Sequence, residues 1–597
     1  MTDSDRLAET RSFRIPFLVG VSGHRDLVAS QLPDIRAEVT RLLQQLRAAC
    51  PDVRLQLLCP MAEGADLLVA QVAMDLGIGI LAVLTFPREL CRADLRTEED
   101  RMVFDRVLSQ AEALELPVPA GTTAEALQRE GPERDLQFQR AGLLIARYST
   151  LLIAIWDGEA TQHAAGTARV LDFRRRGVSS YSDHRLVPAD LLLSAHDNEL
   201  TYEIRCARQS TLAGDTDAPP LTVPGFVGGG VEDGPSVDHP NLPQSLQTLL
   251  RSTAEFNRDA DLYAAEIAAE GRRLTVPSPY PVPATLSQVD KLFTQADWLG
   301  GRFRRSFTRT LKARYALWAV MAFLLLAFKK VYEGYEGLAI ILAVLAIFGA
   351  GSLLASWAHR RGWHRKYLDY RALAEALRVD YYWEIAGVRH NFAGEFAHES
   401  FLQKQDVELE WIRAAMRVVS LRLALRPSPA TQTGFVHAYA AWIGDENPVN
   451  GSGQLLYYSQ RSAALHHKVR LYERADHGLL TLGLLLALTF TINILLQLAG
   501  IRFLPELLQG IMLWALALLT AYAAIFEIYL LEKADRSLIR QYHYMHSLFR
   551  FAARELKSSR SEGDKLEILR SLGHACLAEN AQWILAHRGK RIEGLKW

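Results

Sequence analysis

Apolar positions follow two different rhythms along this chain. In the first part they gather in short continuous runs: FLVGV from Phe17, LQLLCP from Leu55, GILAVLTFP from Gly79 and TLLIAIWDG from Thr150, with TYEIRC from Thr201 closing the series as the sixth strand. Helix-length stretches separate them, at Leu32–Ala49, Ala65–Leu76, Arg101–Leu114 and Asp135–Ala146. Strands that are apolar throughout, rather than at alternate positions, are covered on both faces, and strands interleaved with helices form a parallel sheet. The pattern predicts a doubly wound, Rossmann-like α/β domain.

Beyond residue 300 the runs become long and come in pairs. Tyr315–Phe328 is followed by Leu338–Trp357, and Gly478–Ile501 by Leu507–Leu531. About 20 mainly apolar residues cross the hydrocarbon of a bilayer, so the last three are long enough alone. The first is short, and spans if Lys329 and Lys330 snorkel outward. Four such runs in two hairpins predict an all-α membrane domain with cytoplasmic helices around it. The resulting division is residues 12–300 as the soluble domain, 301–357 as a basic helix with the first hairpin, 358–477 as a cytoplasmic helical region, 478–531 as the second hairpin and 532–597 as C-terminal cytoplasmic helices. Residues 212–244, rich in Pro, Gly and Asp, read as a flexible insertion, and Pro277–Pro283 as the end of the soluble domain.

Charge sets the expected orientation. Arg302, Arg304, Arg305, Arg309, Lys312 and Arg314 crowd the start of the first hairpin, and His359, Arg360, Arg361, Arg365 and Lys366 follow its end. Its turn balances Lys329 and Lys330 with Glu333 and Glu336. Lys468, Arg470 and Arg474, then Lys533, Arg536 and Arg540, flank the second hairpin, whose turn holds only Arg502. The positive-inside bias places both termini in the cytoplasm, and the expectation is a multi-pass protein of the cell inner membrane. Trp318 and Trp357 fall at the inner interface. YRALAEALR from Tyr370 aligns with YHYMHSLFR from Tyr542, and two readings of that match stand: chance, or a unit used twice, two spanning helices and then amphipathic cytoplasmic helices.

Composition narrows the classes. Lys+Arg and Asp+Glu are 67 each, so no basic field argues for nucleic acid. The five cysteines lack a C-x-x-C pair and fit a reducing compartment. No metal site is expected: His466-His467 and the later His543 and His546 have only a superficial resemblance to one. Within the apolar runs, Thr489, Asn493 and Gln497 recur every fourth residue on one face. Two readings of that face stand, hydrogen bonding between helices or the lining of a pore in a homo-oligomer. Ala339, Ala343, Ala346 and Ala350 form a small-residue face for close packing.

Chemistry-bearing residues gather where the strands end. Gly20, Ser22, Gly23, His24 and Arg25 end the first; Glu63, Gly64, Ala65 and Asp66 lead from the second into a helix; Phe86 and Pro87 end the third. Trp156, Asp157 and Gly158 end the strand at Leu151, and Gly166 and Thr167 open the next helix. Ligands of doubly wound sheets bind beyond the carboxyl ends of the strands. Glycines and helix N-termini admit anions, Arg25 supplies a planar cation for phosphate oxygens, and Glu63, Asp66 or Asp157 can accept ribose hydroxyls. Turns and helix caps account for each loop singly. Their convergence points to a binding edge. His24 as a general base lacks a Ser or Cys nucleophile.

VGVSGHRDL, AEGADLLVAQVA, ILAVLTFP and LLIAIWDG followed by AAGTARVL, over about residues 13–208, resemble the SLOG superfamily. These are Rossmann-like nucleotide-ligand domains related to the cytokinin-activating "lonely guy" (LOG) hydrolases and to the cytoplasmic N-terminal domain of melastatin-type TRP channels. The membrane half, by its layout and the YRALAEALR helix, resembles SLATT domains, two-helix membrane effectors found beside SLOG domains in bacterial defence systems. The resemblance implies a nucleotide-derived ligand, Arg140 near the hydrolases' catalytic arginine, and control of membrane permeability in antiviral defence. It also exposes a departure: where the hydrolases carry G-G-x-G-T-x-x-E, this chain has His163-Ala164 before Gly166-Thr167 and Val170 in place of the glutamate. Valine transfers no proton. The expectation is therefore binding without turnover, no catalytic residue being assigned, with a membrane-tethered nucleotide or nucleoside hydrolase, for which Glu159 is the substitute carboxylate, and a non-catalytic scaffold as alternatives.

Overall fold

The computed structural model describes residues 12–118, 121–159, 166–176, 200–211, 219–228, 242–275, 285–328, 335–391, 409–425, 430–447, 451–499, 504–533 and 535–588. The strands are β1 (Phe17–Gly23), β2 (Leu55–Cys59), β3 (Gly79–Leu84), β4 (Glu112–Glu115), β5 (Leu151–Trp156), β6 (Thr201–Arg205) and β7 (Gly225–Val227). They form one sheet in the order β4-β3-β2-β1-β5-β6-β7, parallel except for β7, which runs antiparallel to β6. β1 lies between β2 and β5, with Val19 opposite Leu57 on one side and Leu151 on the other. The strand order therefore reverses at β1, which is the topological switch point of a doubly wound sheet.

Helices cover both faces, as the unbroken apolar strands require. α1 (Leu32–Ala49), α2 (Ala65–Asp75), α3 (Arg88–Ala93) and α4 (Glu98–Leu108) follow the first three strands. α5 (Ala124–Gln128), α6 (Pro132–Tyr148) and α7 (Thr167–Arg176) flank β5. α1, α2 and α4 pack together as one layer, and α5, α6 and α7 as the other. α8 (Gln244–Leu262) and α9 (Ala264–Glu270) complete this part. All six residues of β5 are buried.

Two sequence expectations are corrected. The helix expected over Arg101–Leu114 stops at Leu108, and Glu112–Glu115 is the edge strand β4, whose only buried residue is Leu114. The insertion expected to be flexible over 212–244 contains β7, held to β6 by Tyr202 opposite Phe226. The rest of it, at 212–218 and 229–241, lies outside the described residues, as do Pro277–Pro283, His163–Ala165, Lys329, Lys330, Glu333 and Arg502.

The second half is helical: α10 (Leu286–Phe328), α11 (Tyr335–Arg360), α12 (Trp363–Ala386), α13 (Val388–Asn391), α14 (Glu410–Leu425), α15 (Gln432–Ala438), α16 (Gly453–Leu498), α17 (Glu506–Lys533), α18 (Asp535–Ser558) and α19 (Glu562–Arg588). Four helical stretches, Leu286–Ala327 of α10, Gly337–Ala386 across α11 and α12, Gly453–Leu498 of α16 and Glu506–Leu530 of α17, are long and apolar enough to cross a membrane. Only 6 to 11% of their most apolar stretches is buried. An apolar surface so exposed is not a protein core; hydrocarbon is the solvent that suits it.

The chain divides into two compact units that do not follow sequence order. The first comprises Met1–Leu299, Arg371–His437 and Glu562–Leu585, and the second Gly300–Tyr370, Ala438–Ser561 and Ala586–Trp597. In the first unit the returning helices pack against the sheet domain and each other. Arg422 of α14 makes a forked pair with Glu112 of β4 at 2.6 and 2.9 Å. The Trp383 indole donates to the Leu569 carbonyl at 3.1 Å, and Gly573 of α19 is flush with that ring, so that a Cβ there would collide with it.

In the second unit the spanning helices are antiparallel. Tyr315 of α10 meets Tyr529 of α17 at 5.3 Å, and Phe323 meets Trp514 at 5.5 Å. Tyr472 of α16 meets Phe526 at 5.7 Å, and Gly351 of α11 faces Leu317. The apolar run of α10 therefore begins at the same end at which α11 and α17 finish and that of α16 begins. Arg314 lies over Tyr315 and Trp318, and Arg361 over Trp357, at that end.

Candidate functional site

The switch point brings the loops after β1, β2 and β5 together. β1 ends in Gly23 because nothing larger fits: a Cβ there would lie 2.9 Å from the Ile155 carbonyl and closer still to Ala65. Gly20 is excluded from bearing a side chain by Ser149. Gly64, with φ +82°, caps α2 and packs on the main chain of the β1 loop, 2.7 Å separating its would-be Cβ from the His24 carbonyl. The Ala65 N–H donates to that same carbonyl at 3.1 Å. Ser22 Oγ and Thr167 Oγ1 are 3.4 Å apart, which sets the start of α7 beside β1. Gly166 accepts the first hydrogen bonds of that helix.

His24 joins the two central strands. Its main-chain N–H donates to Ile155, and its Nε2 is 3.0 Å from the Asp157 N–H and 3.1 Å from Asp157 Oδ1. One nitrogen serves both contacts: without a proton it accepts the N–H, and with one it pairs with the carboxylate. Burial pushes the Asp157 carboxyl up, but the Glu159 N–H and His24 outweigh it and hold the group below the usual carboxylate range. Asp26 is likewise held low, because hydrogen bonds from Ser210 and Arg208 outweigh its burial. Arg208, which the sequence did not single out, lies 3.0 Å from Asp26 and 4.0 Å from Asp157.

Arg25 has a different setting. Its guanidinium lies over the Phe138 ring at 5.0 Å, half-buried, and makes no ion pair among the described residues. Phe138 in turn packs edge-on against Phe86 at 5.0 Å. Arg134 covers Phe86 and Phe138 and pairs with Asp94. Phe138 is thus the platform that aims Arg25, and its signal in the sequence was the Arg134-x-x-x-Phe138 spacing on one face of α6.

Asp66 is buried, 3% exposed, in the first turn of α2. Its Oδ2 accepts the Ala62 N–H at 3.3 Å and its Oδ1 has no hydrogen-bond partner. Burial raises its pKa to about 7, against the pull of the Ala62 N–H and the Arg25 charge. Glu63 Oε2 is also without a hydrogen bond, with Arg96 at 3.7 Å.

Other expected residues serve the fold. Pro87 caps α3, and Gly158, with φ +88°, turns the chain after β5 beside Arg205. Trp156 is buried, its indole N–H 3.4 Å from Glu203. Arg140 donates to the Pro117 carbonyl at 2.7 Å and to Gln137 at 3.1 Å, so it ties α6 to the chain after β4, and burial lowers its pKa. Val170 is 7% exposed and packs on Gly142 of α6. The position that holds the glutamate in the hydrolase motif is here part of the layer between two helices.

In the second unit, Thr489 donates to the Leu485 carbonyl of its own helix, and Thr489 and Gln497 are exposed on the single chain. Asn493 is fully buried, and neither its Oδ1 nor its Nδ2 has a partner. The three do not form one hydrogen-bonded ladder. His466 of α16 and His543 of α18 face each other with Nε2 atoms 2.7 Å apart, a pairing across helices that sequence spacing did not disclose. Among the described residues no group of three or more His, Cys, Asp or Glu could hold a metal ion.

Searches with the sequence match no family model and no curated protein.

Proposed function

We propose that the protein is a ligand-controlled membrane effector, in which the switch-point edge binds an anionic, nucleotide-derived signal and the helical hairpins change membrane permeability in response. The observation that carries this is Arg25: a half-buried guanidinium on an aromatic platform, in no ion pair among the described residues, carried by the β1 loop whose main chain packs on Gly64. The neighbouring carboxylates Asp26 and Asp157 are engaged by Arg208, Ser210 and His24, and Asp66, which feels the Arg25 charge, is buried and makes no ion pair with it, so the cation can take a phosphate. α10, α12 and α19 each contribute residues to both compact units, a covalent route from edge to hairpins. The ligand must bind one arrangement of the hairpins more tightly than the other, since equal affinity shifts nothing. Orientation with both termini in the cytoplasm, assembly as a homo-oligomer and a setting in antiviral defence belong to the same proposal.

The test is thermal unfolding of the full chain in detergent with a panel of linear and cyclic nucleotides. A ligand at a hundred times its Kd stabilises its site by about 2.7 kcal/mol. Loss of a charged hydrogen bond costs about 1.5–3 kcal/mol, so Arg25→Ala is expected to weaken binding by roughly tenfold or more. No stabilisation by any compound, or one indifferent to Arg25→Ala, counts against the proposal.

One observation favours the hydrolase as a second reading: Asp66, a buried carboxyl with a pKa of about 7, is poised to hold or release a proton beside Arg25. Steady release of free base from nucleoside monophosphates, lost in Asp66→Asn, is the result that would establish it.

A further inference from the structure

Within the second unit, α10, α16 and α17 enclose a cleft of about 340 Å³. Its inner wall is apolar and aromatic: Tyr315 and Tyr529 form a buried cluster with Leu311, against which Trp318, Ile525 and Phe526 pack. Ala319 of α10 and Ala475 and Leu479 of α16 line the rest. The small alanines leave the space, because a larger side chain at either position would fill it. One lining residue is charged, Lys312. It is exposed and takes part in no ion pair among the described residues.

The depth of the cleft follows from the helices that form it. Lys312 stands three residues before the apolar run of α10, and Ala475 three residues before that of α16. Tyr522 and Tyr529 lie in the last turns of the α17 apolar run. The cleft therefore sits at the end of the bundle where Arg309, Arg470 and Arg474 gather and where Tyr315, Tyr522 and Tyr529 supply an interfacial aromatic belt. Here an apolar slot meets a single basic side chain, Lys312. A detergent-like or neutral apolar molecule would satisfy the slot and leave Lys312 unmatched. An acyl chain attached to a phosphate satisfies both, which is the chemistry of anionic headgroups in basic pockets between transmembrane helices.

We propose that this cleft is a binding site for one anionic phospholipid of the cytoplasmic leaflet, its acyl chain between α10, α16 and α17 and its phosphate paired with Lys312. Such a lipid touches helices of both hairpins at once and holds them together. The site is independent of the nucleotide edge, and stands or falls without it.

The test uses the full chain, stripped of lipid in detergent and titrated with phosphatidylglycerol and phosphatidylcholine of identical acyl chains, read by native mass spectrometry and by thermal unfolding. The expected result is one tightly retained phosphatidylglycerol, at least several-fold preferred over phosphatidylcholine, that raises the unfolding temperature. Lys312→Ala is expected to remove the preference, and Ala319→Phe, which fills the slot, to remove tight retention of both lipids. A circular-dichroism spectrum matching the parent's verifies that each variant folds; Lys312→Ala, on an exposed position, carries the test if Ala319→Phe does not. Equal retention of the two lipids by the parent chain, or a preference that survives Lys312→Ala, overturns the proposal.

Discussion

Arg25 and Asp66 are close neighbours with opposite fates. Arg25 lies on the Phe138 ring, half-buried, whereas Asp66, in the first turn of α2, is buried almost completely. The buried carboxyl makes stability depend on pH with a definite sign. Its folded pKa of about 7 lies above the ordinary carboxyl value, so the folded state holds a proton that the unfolded state has lost, and stability falls as pH rises from about 4 towards 7. Ionised Asp66 costs the folded state on the order of a few kcal/mol at alkaline pH. Asp66→Asn keeps the acceptor for the Ala62 N–H and carries no charge. Its unfolding temperature is expected to exceed the parent's by a margin that grows between pH 5 and pH 8; a margin constant across that range would show that Asp66 is ionised throughout.

Much of this edge was legible because glycine, His24, Arg25 and Asp157 stand immediately after strong apolar runs, and the chain direction of a parallel sheet sends those ends to one side. The burial of Asp66 and the grip of Arg208 on Asp26 were not legible, since each depends on contacts between residues far apart in sequence, and the Phe138 platform left only the Arg134-x-x-x-Phe138 spacing as a trace. Arg140 shows the converse: its place in a motif suggested a ligand contact, and its guanidinium is occupied with the Pro117 carbonyl.

Among the elements, long apolar or amphipathic segments were read correctly and marginal ones were not. α1 matches its expected span of Leu32–Ala49. β4 escaped notice because an edge strand buries one residue in four, Leu114, and because no Gly or Pro separates it from α4. Each hairpin is followed by a helix of 24 residues, α12 and α18. The helix crossing at Gly573 gives an element-level prediction. Gly573→Ala places a methyl group against the Trp383 ring and disturbs its bond to Leu569, for a cost of about 1–3 kcal/mol. A lowered unfolding temperature is the expected reading, and an unchanged one would show that α12 and α19 part easily.

Asn493 offers a test of permeation within the spanning helices. A buried amide with no partner costs about 1–3 kcal/mol, and a leucine of similar size removes that cost. Asn493→Leu is expected to stabilise the detergent-solubilised chain while reducing ligand-dependent leakage. Greater stability with full leakage would mean that the amide has no part in permeation.

For the molecule as a whole, hydropathy disclosed two halves but not how the chain is shared between them. The first compact unit gathers the sheet domain with segments from after each hairpin, Arg371–His437 and Glu562–Leu585. No local pattern announces such a return, because it is decided by side chains such as Trp383 and Arg422 meeting partners some 190 to 310 residues away. The consequence is that α10, α12 and α19 each contribute residues to both units. The direct measurement is dye release from liposomes containing the full chain, challenged with linear and cyclic nucleotides. At least one compound is expected to raise the leak rate of the parent severalfold and to leave Arg25→Ala unaffected at the same concentration. Leakage that is the same with and without every nucleotide, and the same in parent and variant, would contradict a ligand-gated effector.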